Sequence, residues 1–405
     1  MLRGVVRFRS GTVAHAKDIS MPTVRTAISQ MQTQRIGEVS RIAIGDPDVI
    51  PLWFGEPDLD TPEFIRQAAI DAMQSGHTRY VNKRGIPELR EAILEYTKAN
   101  FGVTLDPERI TVTGSGMTAI MIATETLVNN GDNIVMISPI WPNIFFCTQT
   151  MGGESRHLRL DLTEDGWQLD LDKLFDTCDE RTKAIFIASP SNPTGWLMEP
   201  DQQKAVLEFC RKRAIWIIAD EVYHRIVYDR PVAPSFLSIT DPEDALYVVH
   251  SMSKAWCMTG WRCGWLVHPA DLGDRMGDLS GINNTGSTSF VQHAAAVALR
   301  DGEEFVAMGI ERCRRARDIV HQRLGSHSRV TLAAPKAAFY AFPEIAGLKD
   351  DLAFAKTLVR EHRVGLAPGS AFGPDNERFL RLCFAKSEAQ LSDAMDRIEA
   401  GLAML

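Results

Sequence analysis

A lysine stands at the end of an apolar run in Ser251-Met252-Ser253-Lys254, which follows Leu246–His250. Burial disfavours a charged amine, so a lysine at a buried strand end is chemically notable. Its use there is an amine of lowered pKa that condenses with a carbonyl. The ordinary alternative is a lysine whose head reaches solvent. Arg262 follows in Gly260-Trp261-Arg262 and offers the bidentate fork that a phosphate or carboxylate favours. The run Ile215–Ala219 ends in Asp220-Glu221-Val222-Tyr223. An acid at a buried strand end is costly unless it meets a cation or a donor, although a helix cap alone would account for Asp220. Ala184–Ala188 ends in Ser189-Pro190-Ser191-Asn192-Pro193-Thr194-Gly195, a rigid turn that would hold Asn192 in place. Ile110–Thr113 runs into Gly114-Ser115-Gly116-Met117-Thr118. Small residues entering a helix N-terminus expose backbone N–H groups suited to a phosphate, though such turns open many helices.

The elements that must position these groups are short and apolar. Ile110–Thr113, Asn133–Ile137, Ala184–Ala188, Ile215–Ala219, Leu246–His250 and Gly264–Val267 read as strands buried on both faces. Helical patterns lie between them, at Pro87–Asn100, Met117–Val128 and Gln202–Arg213. The alternation predicts an α/β fold in three layers, with a mostly parallel sheet and crossover helices. After about Gln292 the texture changes to a long amphipathic helix, Glu303–Leu324, short strands at Arg329–Ala333 and Ala338–Phe342, and a last helix from Glu388. The expected division is a large domain over residues 52–291. The expected smaller α+β domain is made of residues 1–51 with 292–405.

Ligands of open α/β sheets bind at the carboxyl ends of the strands. A phosphate turn, an amide, an acid, a phenol, a lysine and an arginine are all predicted at one sheet edge. One ligand accounts for the set: an aromatic aldehyde with a phosphate and a ring nitrogen, pyridoxal 5'-phosphate.

In order and spacing these residues resemble the class I/II aminotransferases of fold type I, from about Leu52 to Leu405. The resemblance rests on the lysine segment with Gly260-Trp261-Arg262 and on the asparagine loop. It also rests on Gly55-Glu56-Pro57-Asp58 through Thr61-Pro62, and on Tyr80 with Gly85-Ile86-Pro87-Glu88-Leu89-Arg90. Pro368-Gly369 with Phe372-Gly373, and Arg381 inside Phe379-Leu380-Arg381-Leu382, complete it. The resemblance implies roles. Lys254 would carry the cofactor and then shuttle the α-proton. Asp220 would pair with the pyridine nitrogen. Asn192 and Tyr223 would bond the ring oxygen, and Trp141 would stack on the ring. Ser115, Gly116, Met117, Ser251, Ser253 and Arg262 would hold the phosphate. Tyr80 would reach it from the partner subunit of a homodimer. Arg381, helped by Asn192 and Gly55, would bind the substrate carboxylate. The implied reaction moves an amino group from an L-amino acid to a 2-oxo acid by a ping-pong cycle. A C–S β-lyase on the same fold is the alternative, followed by an aspartate-specific aminotransferase and a non-enzymatic sensor.

A dicarboxylate specialist needs a second cation for the distal acid. The segment from Gly281 to Gln292, where the aspartate branch would carry one, has no Lys or Arg. Met117 and Met121 stand on the phosphate-turn helix. The expected donor is therefore neutral, aromatic or broad. Arg25, Arg35 and Arg41 remain as cations able to fold over the site.

Composition narrows the partners. Charges of 44 Lys+Arg against 52 Asp+Glu leave a net −8, so no nucleic acid or anionic membrane is expected to bind. The run Arg312-Cys313-Arg314-Arg315-Ala316-Arg317 reads as a solvated helix face, and His250 as a strand residue. No apolar run approaches the roughly 18 residues of a membrane span. Seven scattered cysteines without a C-x-x-C pair predict free thiols in a reducing, cytoplasmic setting and no metal site. The acid-free stretch from Met1 to Lys17 reads as an N-terminal extension; a transit peptide would share that composition.

Overall fold

The computed structural model describes residues 23–31 and 33–405; the basic stretch from Met1 to Lys17 lies outside them. Seven strands form the central sheet: β1 (Ile110–Thr113), β2 (Asn133–Ser138), β3 (Glu154–Arg159), β4 (Thr182–Ala188), β5 (Trp216–Asp220), β6 (Leu246–Ser251) and β7 (Gly264–Val267). Their order is β1-β7-β6-β5-β4-β2-β3. The six expected strands are present. β3, whose Glu-Ser-Arg-His-Leu-Arg sequence lacks an apolar run, is an additional one, and it occupies the edge.

All pairings are parallel except those of β7, which runs antiparallel to both β1 and β6. This reversal positions the site. β1, β4, β5 and β6 bring their carboxyl ends to one edge. β7 brings its amino end there, with Gly264 opposite both Thr113 and Ser251. Arg262, two residues before β7, therefore joins the groups that follow the parallel strands. The junction is tight. A side chain at Gly264 would sit 2.6 Å from the Gly116 nitrogen, so only glycine lets the strand and the helix turn meet.

Local signals start and stop the helices. Ser115 caps α1 (Gly116–Leu127), its hydroxyl accepting from the Thr118 N–H at 3.0 Å. The helix Pro87–Phe101 begins on Pro87 and ends on left-handed Gly102. Both faces of the sheet are covered, one core lying under Ile110, Val135, Ile185 and Val248 and another around Ile134, Phe186, Ile218 and Leu266. The helix α2 (Ser289–Asp301) buries Val291, Ala295 and Leu299 in the first of these. The expected boundary at residue 291 falls inside it.

A separate core unites both ends of the chain. Val39, Val49 and Leu52 pack with Val320 and Leu324 of α3 (Glu303–Gly325) and with Leu358, Leu382 and Ile398. Ile50–Pro51 pairs in parallel with Val364–Gly365, and Leu380–Cys383 lies between Tyr340–Ala341 and Ala367–Pro368. The Arg312 side chain departs from the solvated face expected of its run. It makes a bidentate ion pair with Asp58 at 2.5 and 2.8 Å, each partner only about 20% exposed, while Arg314 and Arg317 pair with neighbours on their own helix. His250 is a buried strand residue, stacked on Trp265 at 4.9 Å.

Gly365 backs directly onto the Trp53 ring, where a methyl group would stand 1.9 Å from a ring carbon. Gly365→Ala should therefore destabilise the chain by about 1–3 kcal/mol, read as a lowered thermal midpoint. An unchanged midpoint would refute that packing.

Candidate active site

A cavity of about 310 Å³ opens at the shared strand edge, large enough for a small cofactor or substrate. Lys254 projects into it from the turn after β6. Its Nζ donates to the Gly55 carbonyl at 2.7 Å and lies 5.7 Å from the Tyr223 ring centre. Burial, reinforced by the positive charge of Arg381, brings the amine down to about 8. Asp220 ends β5. Burial pushes its carboxyl up to about 6, against the pull of the Val222 N–H and the Lys254 charge. Near neutral pH it therefore remains mostly ionised.

Asn192 reaches the cavity from the loop after β4. Its buried Oδ1 has no partner among the described residues. A buried acceptor without a donor marks a place for a ligand. Tyr223 bonds Tyr340 through the two hydroxyls at 2.6 Å, and burial keeps both phenols protonated.

Arg381 is 2% exposed and donates to the Trp53 carbonyl. Its guanidinium stands 4.8 Å from the Tyr340 ring centre and 5.2 Å from that of Phe372. Among the described residues no carboxylate lies within 4 Å of it, and its Nε has no partner. A buried guanidinium in that condition is built for an incoming anion.

The opposite end of the cavity suits a phosphate. Ser251 Oγ donates to Ser253 Oγ at 2.9 Å, and Arg262 adds its charge from a left-handed backbone (φ 56°). The amino end of α1 comes close because Gly116 has no side chain; a Cβ there would crowd Ser251 at 3.2 Å. Met117 and Trp141 line the same cavity. Gly55 is fixed by its neighbour, since a Cβ there would lie 1.8 Å from the Tyr340 hydroxyl oxygen.

Twelve of the fourteen residues singled out in the sequence thus line one cavity. Ser115 does not line it but caps α1 behind it. Tyr80 is 89% exposed and does not line it either. The sequence reading missed Tyr340, Trp53, Phe54, Ile36 and Thr259, which complete the walls. Trp53 and Phe54 directly precede the Gly55 motif, so adjacency was a usable signal. Nothing local marks Tyr340 inside its apolar segment.

The groups present fit pyridoxal phosphate: cations and N–H groups for its phosphate, an acid for its ring nitrogen, an amine for its aldehyde and an orphaned amide for its ring oxygen. No cluster of metal-binding side chains exists among the described residues.

Comparison with known proteins agrees. Residues 47–398 match the family model for aminotransferase class I and II. A probable aspartate/prephenate aminotransferase of Aquifex aeolicus is 34% identical over 88% of this chain and 91% of its own. The aromatic-amino-acid aminotransferase 2 of Thermococcus litoralis is 32% identical over 92% and 96%. The solved structure of an Escherichia coli protein with a methionine aminotransferase function superposes with a TM-score of 0.86 at 26% identity, over 95% of this chain and 100% of that one. With this match and this cavity, the chain belongs to the class I and II aminotransferase family, the pyridoxal 5'-phosphate-dependent enzymes of that fold.

Proposed function

We propose that the amino donor is a neutral amino acid, aromatic or apolar, taken broadly rather than strictly aspartate. One observation carries this reading. The cavity holds three cations, and each has a use in holding the cofactor or the α-carboxylate: Lys254, Arg262 and Arg381. Much of the remaining lining is apolar, including Ile36, Phe54, Met117, Ile140 and Trp141. A second carboxylate placed among them would lose its hydration without gaining a partner. The Thermococcus relative is named for aromatic donors and the Escherichia coli protein for methionine.

The geometry supports a role for each group. When bound, pyridoxal phosphate supplies an electrophilic carbonyl and a ring that accepts electron density from the substrate α-carbon. Arg381 grips the substrate carboxylate with its planar fork, and the carbonyls of Trp53 and Gly55 hold the facing loop in place. Lys254, depressed toward neutral pH, holds and moves a proton at its Nζ. Asp220 would supply a negative charge for the ring nitrogen. The Tyr223–Tyr340 pair fixes a phenol donor beside Asn192. Ser251, Ser253, Arg262 and the amino end of α1 anchor the phosphate, with Ser115 holding that helix end. The exposure of Tyr80 supports a homodimer in which this residue completes a partner's site. The seven free cysteines support a reducing, cytoplasmic compartment.

Three measurements check this reading. Turnover of phenylalanine, methionine, alanine and aspartate with 2-oxoglutarate should rank aspartate below the apolar donors, and Lys254→Ala should abolish turnover with all of them. A strong preference for aspartate would defeat the donor assignment, and release of ammonia without a 2-oxo acid would mark a lyase. In the cofactor-free protein, acylation of Lys254 should rise with a midpoint near pH 8, because burial favours the neutral amine. A midpoint at the ordinary lysine value of about 10.4 would show that the amine is hydrated instead. Sedimentation should give twice the chain mass, and a monomer with full activity would dismiss the role of Tyr80.

A further inference from the structure

Asp220 is followed directly by a second buried acid, Glu221. Successive residues of an extended chain point to opposite faces of a sheet. Asp220 accordingly lines the active-site cavity, whereas Glu221 does not and packs against the ring of His250 and the turn at Ser235-Phe236. Its Oε1 accepts from the Phe236 N–H at 3.0 Å. Its Oε2 has no hydrogen-bond partner among the described residues and faces His250 Nε2 at 3.9 Å. His250 Nδ1 is unpartnered too, as is the indole Nε1 of Trp265, whose ring stacks on that imidazole. Buried polar atoms are nearly always satisfied, so this cluster calls for an account.

The surrounding groups offer Glu221 no positive charge. Arg225 is engaged by Glu303 through two contacts, at 2.8 and 2.5 Å. His224 Nδ1 lies 2.7 Å from the Glu221 carbonyl oxygen and donates to it, while Nε2 accepts from the Tyr96 hydroxyl, also at 2.7 Å. That tautomer is neutral, and burial keeps both His224 and His250 uncharged. Burial likewise keeps the Tyr96 phenol protonated. The nearest like charge is Asp220 itself. A buried carboxyl with an acid for a neighbour and no cation beside it keeps its proton. Burial, with the Asp220 charge adding to it, pushes Glu221 up to about 8 against the pull of Ser235 and the Phe236 N–H. Asp220 has the Val222 N–H and the Lys254 charge to favour its ionised form, and it ionises first.

We infer that Asp220 and Glu221 form one coupled pair of acids carrying a single charge near neutral pH, with Asp220 ionised and Glu221 holding the proton on the oxygen that faces His250. Adjoining buried acids of this kind titrate as a unit. The inference rests on the aminotransferase reading, which gives Asp220 its task, and deepens it. Glu221 is a positioning residue that acts through Asp220. Its neutrality leaves the negative charge undivided on the cavity side of β5, and its bond to the Phe236 N–H fixes the chain just beyond the strand end.

Infrared spectroscopy of the full chain without cofactor tests the pair, because a protonated carboxyl has its own C=O stretch. Near neutral pH one such band should be present that Glu221→Gln removes, and in the natural chain it should fade with a midpoint near 8. Asp220→Asn should lower that midpoint by about half a unit or more, since a like charge has gone. Glu221→Gln should leave the Asp220 midpoint near 6, where Glu221 is already neutral. His250→Phe should shift the frequency of the Glu221 band. Should Glu221→Gln fail to fold, isotope labelling of the glutamate carboxyls in the natural chain assigns the band instead. In the holoenzyme Glu221→Leu should lower kcat about tenfold or more, and Glu221→Gln should rescue most of that loss. No Glu221 band near neutral pH, or a midpoint that ignores Asp220→Asn, overturns the pair; an unmoved band in His250→Phe overturns the placement of the proton. If no donor is turned over while the band keeps its Asp220-dependent midpoint, the acid pair stands and the functional reading falls.

Discussion

Lys254, half-buried, and Asp220 and Arg381, buried, surround one cavity, and no ion pair within 4 Å joins any of them to a described residue. Each would be more stable in water than where it stands. Their charges are therefore available to a ligand, and the rest of the fold exists to hold them there. The cost shows in their protonation. Burial lowers the amine to about 8 and raises the acid to about 6, which brings both within reach of neutral pH. That is the range in which a group both gives and takes protons.

Packing in two regions absorbs this cost. The central sheet buries its strands on both faces and brings Lys254, Asp220 and Asn192 in on consecutive strand ends. The second core, built from residues near both ends of the chain, brings in Arg381 and Tyr340. The loop 53–58 is tied to both. Lys254 and Arg381 each donate to its carbonyls, and Arg312 of α3 pairs with its Asp58. The cationic face of the cavity thus coexists with a chain of net charge −8, because three local cations outweigh a diffuse negative surface at close range.

Much of this was legible in the residues. Strands such as Ile110–Thr113 and Gly264–Val267 appear with the expected bounds, since an apolar run between turn residues has few alternatives. β3 was not legible, because an edge strand needs no continuous apolar run. Nor was the direction of β7, which carries the same local signature as its parallel neighbours. Arg312 looked like any arginine on a helix face, and only the approach of Asp58 from 254 positions away gave it a partner.

By itself, then, the sequence determined the chemistry: which side chains stand at strand ends, and hence an amine, an acid, an amide and two guanidinium groups around a phosphate-bearing aldehyde. Those groups are written in short segments whose turn residues and apolar runs act locally. The tertiary structure alone decided what shapes the cavity around them. The reversed β7 and the Tyr340 hydroxyl against Gly55 each depend on segments far apart in the chain. Their meeting is governed by packing between elements, which no local pattern records.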